Sequence, residues 1–317
     1  MRWKVMISAP YMQPVIDRFK PFFEEHGIEL VIPSVNERLG EKELLALITD
    51  IDGVICGDDR FTKKVLERAQ KLKVIVKWGT GVDSIDRESA RELGIAVYNT
   101  PNAFTNPVAD SVLGYVLSFA RRIPWSSEEM KSGAWEKKPC VALQECTLGV
   151  IGVGNIGKAV IRRAVAFGMK TLGNDIVPVD RAFLQETKTE MFSRVALLKQ
   201  SDFVTLNCDL NPTSFHLIGE KEFALMKSTA YLINTSRGPV IDEKALVSAL
   251  KKKKIAGAAM DVFEEEPLSK DSPLRKMKYC LLAPHNANSS PAAWEYVHEN
   301  SLKNLLEGLK RGRNPLL

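Results

Sequence analysis

Three ionisable side chains in the second half of the chain, Arg237, Glu266 and His285, each follow closely on an apolar run, at residues 231–234, 257–261 and 280–283. Short apolar runs bounded by turn residues read as buried parallel strands. In a parallel sheet every strand ends on the same edge, so all three groups are expected there together. An arginine fork can hold the carboxylate of a 2-keto acid in two places and polarise its carbonyl. A histidine can give a proton to the carbonyl oxygen as a hydride arrives, and take it back in the reverse direction. A neighbouring carboxylate stabilises the imidazolium and fixes the ring. Singly, each residue has a plainer reading: Glu266 closes a run of three glutamates that resembles a solvated turn. His26, His216 and His298 have no comparable neighbours in the sequence and read as structural.

A hydride needs a carrier, and residues 148–175 supply the means to hold one. An apolar strand, 148–151, runs into the turn Gly152-Val153-Gly154-Asn155-Ile156-Gly157, then a helix to about Phe167 and a second strand ending at Asp175. Gly152 permits a sharp turn, Gly154 lets backbone approach a pyrophosphate, and Gly157 lets the helix pack close to the strand. The diphosphate then meets the unpaired amides of the helix start, around Asn155 and Ile156. Asp175 can accept from both hydroxyls of the adenosine ribose and would repel a 2′-phosphate, which favours NAD over NADP.

These groups are positioned by alternating strands and helices. In the first hundred residues strands are expected at 4–8, 29–32, 53–56, 74–77 and 96–98, with helices beginning near Gln13, Glu41, Thr62 and Asp83. Residues 106–121 form an apolar helix pattern that reads as a buried hinge between domains, and 121–147 is polar and irregular, with Trp125 and Trp135 suited to packing on another subunit or, alternatively, locally. Six strands follow, at 148–151, 171–174, 203–206, 231–234, 257–261 and 280–283, then an amphipathic helix at 289–310. The fold class is therefore α/β, with two doubly wound parallel-sheet domains. The first lacks a phosphate fingerprint but has a tight turn, Trp78-Gly79-Thr80-Gly81-Val82-Asp83, where open sheets bind ligands.

A chain of 317 residues, 45% hydrophobic, can build two cores. Its net charge of +5 is spread over 44 basic and 39 acidic residues and is no nucleic-acid signature. The basic run 251–254 reads as a solvated helix end. Five cysteines without paired spacing suggest buried free thiols in a reducing compartment, and no apolar run is long enough to cross a bilayer. With no charged-then-apolar leader after Met1, the expected location is cytoplasmic.

Over nearly its full length the chain resembles the D-isomer-specific 2-hydroxyacid dehydrogenases. The segments that carry the likeness are Lys77 to Asp83, Asn99-Thr100-Pro101, Gly152 to Gly157, Asn234 to Gly238 with Asp242, Asp261-Val262-Phe263 to Pro267, and Pro284-His285. The resemblance implies a Rossmann NAD domain (99–288) inserted into a flavodoxin-like substrate domain (1–98, completed by 289–317), with a cleft that closes on the substrate. It implies Arg237, Glu266 and His285 as the catalytic set, Glu266 because it directly precedes Pro267. Asp261 is expected at the nicotinamide amide, Cys208, Thr235 and Ser236 along the cofactor, and the amides of Thr80 and Gly81, beside Gly79, at the substrate carboxylate. A homodimer and no metal are expected. Within the family the likeness is greatest to phosphoglycerate dehydrogenases, making 3-phosphoglycerate the leading substrate; the amino-acid-sensing domain of longer relatives is not expected. Where relatives carry a phosphate-holding arginine, this chain has Asp58-Asp59-Arg60, with Lys77 as a further source of positive charge. A glyoxylate or hydroxypyruvate reductase is the alternative enzyme, and a dinucleotide-sensing binding protein or corepressor the alternative of another class.

Overall fold

Valine- and isoleucine-rich runs too short for helices pair side by side in a computed structural model that describes residues 2–313. The chain divides into two units, Met1–Ala103 with Ser290–Leu317, and Phe104–Ser289.

The first unit holds five strands, β1 (Trp3–Ile7), β2 (Ile28–Val31), β3 (Gly53–Cys56), β4 (Val74–Lys77) and β5 (Ala96–Tyr98), all parallel in the order β2-β1-β3-β4-β5. This is the flavodoxin-like winding. Strands β3 and β4 are buried along their whole length. The helix Pro291–Arg311 lies on them so closely that a Cβ at Gly308 would come within 2.3 Å of Val74. Helix starts follow capping chemistry more than the sequence pattern suggests. The helix expected near Asp83 begins at Arg87, where the Asp86 carboxylate accepts from Ser89 N–H. The segment at Gln13 is a 3₁₀ turn, Gln13–Phe19, that leads into the α-helix Lys20–Glu25.

The second unit has seven parallel strands: β6 (Thr147–Ile151), β7 (Lys170–Asn174), β8 (Glu190–Met191), β9 (Phe203–Leu206), β10 (Tyr231–Asn234), β11 (Gly257–Met260) and β12 (Cys280–Leu282). Their order is β12-β11-β10-β9-β6-β7-β8. Six were expected; β8 is two exposed residues on the sheet's rim, too short to show a pattern. Strand order reverses between β6 and β9, and at such a switch point the loops diverge and leave a crevice.

The helix Thr105–Ala120 belongs to this second unit, its apolar face in one core with the helix Asn155–Ala166. Its exposed stripe runs through Asn106, Asp110 and Gly114, and Arg163 donates to both Asp110 and Asn106. The stretch 121–147 is more ordered than its polar sequence suggests, with a helix at Ile123–Lys131 and a 3₁₀ turn at Leu143–Glu145. Trp125 is buried against Phe119 and donates to the Lys278 carbonyl at 2.8 Å, so local packing satisfies it. Trp135, by contrast, is 89% exposed. Among the described residues no helix is long and apolar enough to cross a membrane.

Candidate active site

The glycine turn forms because each position answers a separate steric demand. Gly152 sits at φ +88°, and a Cβ there would fall 2.6 Å from the Cys208 nitrogen. A Cβ on Gly157 would lie 2.0 Å from the Gly152 carbonyl oxygen, whereas one on Gly154 would meet nothing within 4 Å. Two of the glycines are thus required by the protein's own packing, and the third keeps a space clear in front of the helix Asn155–Ala166. That helix has Gly154 as its N-cap and no side-chain cap, so its positive end faces the cleared space. The Asp175 carboxylate is braced by the same turn, accepting from Val153 N–H at 2.6 Å and Val177 N–H at 2.9 Å.

Polar atoms that the fold leaves without a partner add to this pattern. Thr235 Oγ1, after β10, and Asn207 Nδ2, after β9, are buried with no hydrogen bond. Burial of this kind costs about 1–3 kcal/mol per group unless a ligand completes the bond. Cys208 beside Asn207 is pushed up to about 11 by burial, so its thiol lines the crevice uncharged. Ser236 turns inward on Asn234, donating its hydroxyl to Oδ1 at 2.8 Å. Asn207 was missed in the sequence, although its place between β9 and Cys208 was the available signal. Ile176 and Val177, 79% and 63% exposed beside Asp175, form an apolar shelf also not foreseen. These features fit a dinucleotide: an open glycine position at a helix start, an acid held by the glycine turn and unfilled polar atoms along the strand ends.

At the ends of β10, β11 and β12 the ionisable residues gather. His285 Nδ1 lies 3.0 Å from Glu266 Oε2, with both side chains largely shielded from solvent. The other carboxylate oxygen of Glu266 accepts from Phe263 N–H at 2.9 Å, which fixes the acid in its own turn. The His285 backbone N–H donates to the Asp261 carbonyl at 2.7 Å. The buried Asp261 carboxylate accepts from Asn286 and Ala287 N–H at 2.8 and 2.9 Å. Asp261, expected at the cofactor's amide, is here the staple of the histidine loop. Burial raises its carboxyl above the usual range. Arg237 follows β10 in a turn held by Asn234, whose Nδ2 donates to the Arg237 carbonyl at 2.9 Å; one guanidinium nitrogen donates to the Ser236 carbonyl at 2.9 Å.

His216 had no evident partner in the sequence, but its Nε2 lies 2.8 Å from Glu264 Oε1. In the first unit the loop from Lys77 to Asp83 follows β4. Gly79 is at φ +125°, and Thr80 donates its hydroxyl to the Thr100 carbonyl at 3.0 Å. Lys77 is buried, 3.3 Å from Asp58 Oδ1 and 3.2 Å from the Trp78 carbonyl oxygen, so its charge is spent inside the unit. Asp59 is also buried, accepting from Ser8 Oγ and from Leu39 N–H at 2.7 Å. Its carboxyl is raised to about 6 by burial.

Residues 113–287 match the family model described as D-isomer specific 2-hydroxyacid dehydrogenase, NAD binding domain. A D-3-phosphoglycerate dehydrogenase of Methanocaldococcus jannaschii is 44% identical over 92% of this chain, which spans 54% of that relative's length. A glyoxylate reductase of Thermococcus litoralis is 40% identical over 83% of this chain and 82% of its own. Among solved structures, a D-lactate dehydrogenase from Aquifex aeolicus complexed with NAD and lactic acid superposes with a TM-score of 0.85, at 26% identity, covering 98% of each chain.

Proposed function

The chain belongs to the D-isomer specific 2-hydroxyacid dehydrogenase family, and from that premise we propose that it interconverts a D-2-hydroxy acid and its 2-keto acid with NAD. The observation that carries this reading is the Glu266–His285 pair, held at 3.0 Å on the strand-end edge that also bears the glycine turn. A carboxylate only accepts, so His285 Nδ1 carries the proton in that bond and Nε2 is left for the substrate oxygen. In the oxidation Nε2 takes the hydroxyl proton while the C2–H bond breaks; in the reduction the imidazolium returns that proton to the carbonyl oxygen. Bound NAD supplies the acceptor for the hydride that leaves C2, and NADH its donor. Arg237 holds the carboxylate and polarises the carbonyl. The start of the helix Asn155–Ala166 behind the open Gly154, the acid Asp175 and the orphaned Thr235 hydroxyl would hold the cofactor.

Identity of 44% to a relative named for 3-phosphoglycerate supports that substrate first. A second reading, reduction of glyoxylate or hydroxypyruvate, is favoured by the Lys77–Asp58 pair, which takes up the Lys77 charge and leaves only the exposed Arg60 in that segment for a phosphate dianion. The test is nicotinamide absorbance with a panel of 2-keto acids, phosphorylated and not. Turnover of 3-phosphohydroxypyruvate well above the rest selects the first substrate, and preference for the unphosphorylated acids selects the second. No turnover with any of them removes the enzymatic reading in favour of a dinucleotide-binding protein. Trp135, 89% exposed, supports a homodimer in which a second copy covers it; light scattering of Trp135→Ser should then report monomer. Free thiols at all five cysteines, with Cys140 alone exposed, support a reducing, cytoplasmic setting.

A further inference from the structure

The turns that carry Arg237 and Glu266 start from different strands, yet they are pressed together. A Cβ on Gly238 would fall 1.9 Å from both the carbonyl carbon and oxygen of Phe263, so the backbone after Arg237 rests directly on the backbone before Glu266. One residue bonds to both. The His216 N–H donates to the Pro239 carbonyl at 2.8 Å, and its ring Nε2 lies 2.8 Å from Glu264 Oε1. The same Glu264 oxygen accepts from Glu243 N–H at 3.2 Å, and Glu264 N–H donates to Glu243 Oε2 at 3.3 Å, so the acid is anchored on its far side. His216 reaches these partners from φ +48°, a left-handed backbone that a non-glycine residue adopts only when its surroundings hold it there. The strand-like bridge Ile218↔Ile241 continues the same contact beyond it.

We propose that His216 is a positioning residue that locks the turn carrying Arg237 to the turn carrying Glu266. The proposal rests on the catalytic reading of those two residues given above. Glu264 lies two residues from Glu266, so a brace on its carboxylate limits the rotation of the segment that fixes Glu266 against His285. The acid of that 3.0 Å bond also accepts from Phe263 N–H, in the same short segment as Glu264. The groups facing the His216 ring are carboxylates, Glu264 directly with Glu243 and Glu265 near it, so an acceptor is always present and Nε2–H donates.

The test compares His216→Ala, His216→Gln, which keeps a donor, and Glu264→Ala, an exposed position chosen in case the first variant folds poorly. Two quantities are read on the full chain: kcat for the best 2-keto acid, and the pH midpoint of the His285 ring by NMR, which Glu266 and Asp261 face. With His216→Ala and Glu264→Ala, kcat should fall about tenfold to a hundredfold and the His285 midpoint should move down, with thermal midpoint and NAD affinity held. The two substitutions together should cost no more than either alone, and His216→Gln should recover most of the loss. An unmoved His285 midpoint with unchanged kcat overturns the proposal, as does a loss in Glu264→Ala that simply follows thermal stability. His285→Asn, run in parallel, separates the cases. Full activity there defeats the catalytic reading itself, while an inactive His285→Asn beside a wild-type His216→Ala defeats only the brace.

Discussion

The two parallel sheets end in loops of the same kind but treat charge in opposite ways. After β3 and β4 of the first unit, Asp58 meets Lys77 at 3.3 Å and Asp59 is buried on Ser8 and Leu39. These charges are settled within the unit. After β9 to β12 of the second, His285 and Glu266 pair at 3.0 Å, but Thr235 and Asn207 keep unfilled polar atoms and Gly154 faces clear space. A closed edge gives shape and fixes backbone amides, while an edge with bonds left to make gives chemistry. The difference arises from the side chains alone, since the strand geometry is common to both.

The largest expected effect is at the open edge. Replacing His285 with Asn should lower kcat by about 10²–10⁴ and leave NAD affinity, measured by fluorescence titration, nearly as it was. Activity close to wild type would mean the open edge does no proton transfer. Next, the glycine turn separates packing from binding. Gly157→Ala places a Cβ 2.0 Å from the Gly152 oxygen and should destabilise the fold by about 2–4 kcal/mol in urea titration. Gly154→Ala meets no protein atom and should leave stability unchanged while weakening NAD about tenfold. Equal losses of stability in the two variants would contradict the contrast. The smallest effect belongs to the closed edge. The Asp59 carboxyl is raised from 3.8 to about 6, so the folded state holds this proton more tightly than the unfolded state between those values. Its contribution to stability is therefore most favourable near pH 4 and declines as pH rises toward 6, by about 2 kcal/mol. Wild type compared with Asp59→Asn by calorimetry should show that decline only in wild type. Parallel curves would show that Asp59 is not as closed off as its burial implies.

Much of this was readable before any coordinates, where it depended on neighbours in sequence. The glycine turn, the strands around it and Asp175 lie within one strand-turn-helix-strand unit, and local sterics specify such a unit. That Arg237, Glu266 and His285 would follow strands ending on one edge was also foreseeable, because the strands are parallel. What failed was either very short or decided by distant partners. Strand β8 has two residues and no period to detect. Trp125 looked exposed until the Lys278 carbonyl, 153 residues away, received its N–H. Lys77 looked like a charge for the substrate until Asp58 claimed it.

The sequence by itself determined the class of fold, the glycine turn between β6 and its helix, and which strands carry Arg237, Glu266 and His285 at their ends. Those follow from backbone sterics and side-chain chemistry, which need no knowledge of what is adjacent. Only the tertiary structure decided that Asp261 secures the histidine loop and that His216 joins two turns through Pro239 and Glu264. Such pairings are set by strand order and by angstrom-scale packing between segments far apart in the chain, and no local pattern encodes them.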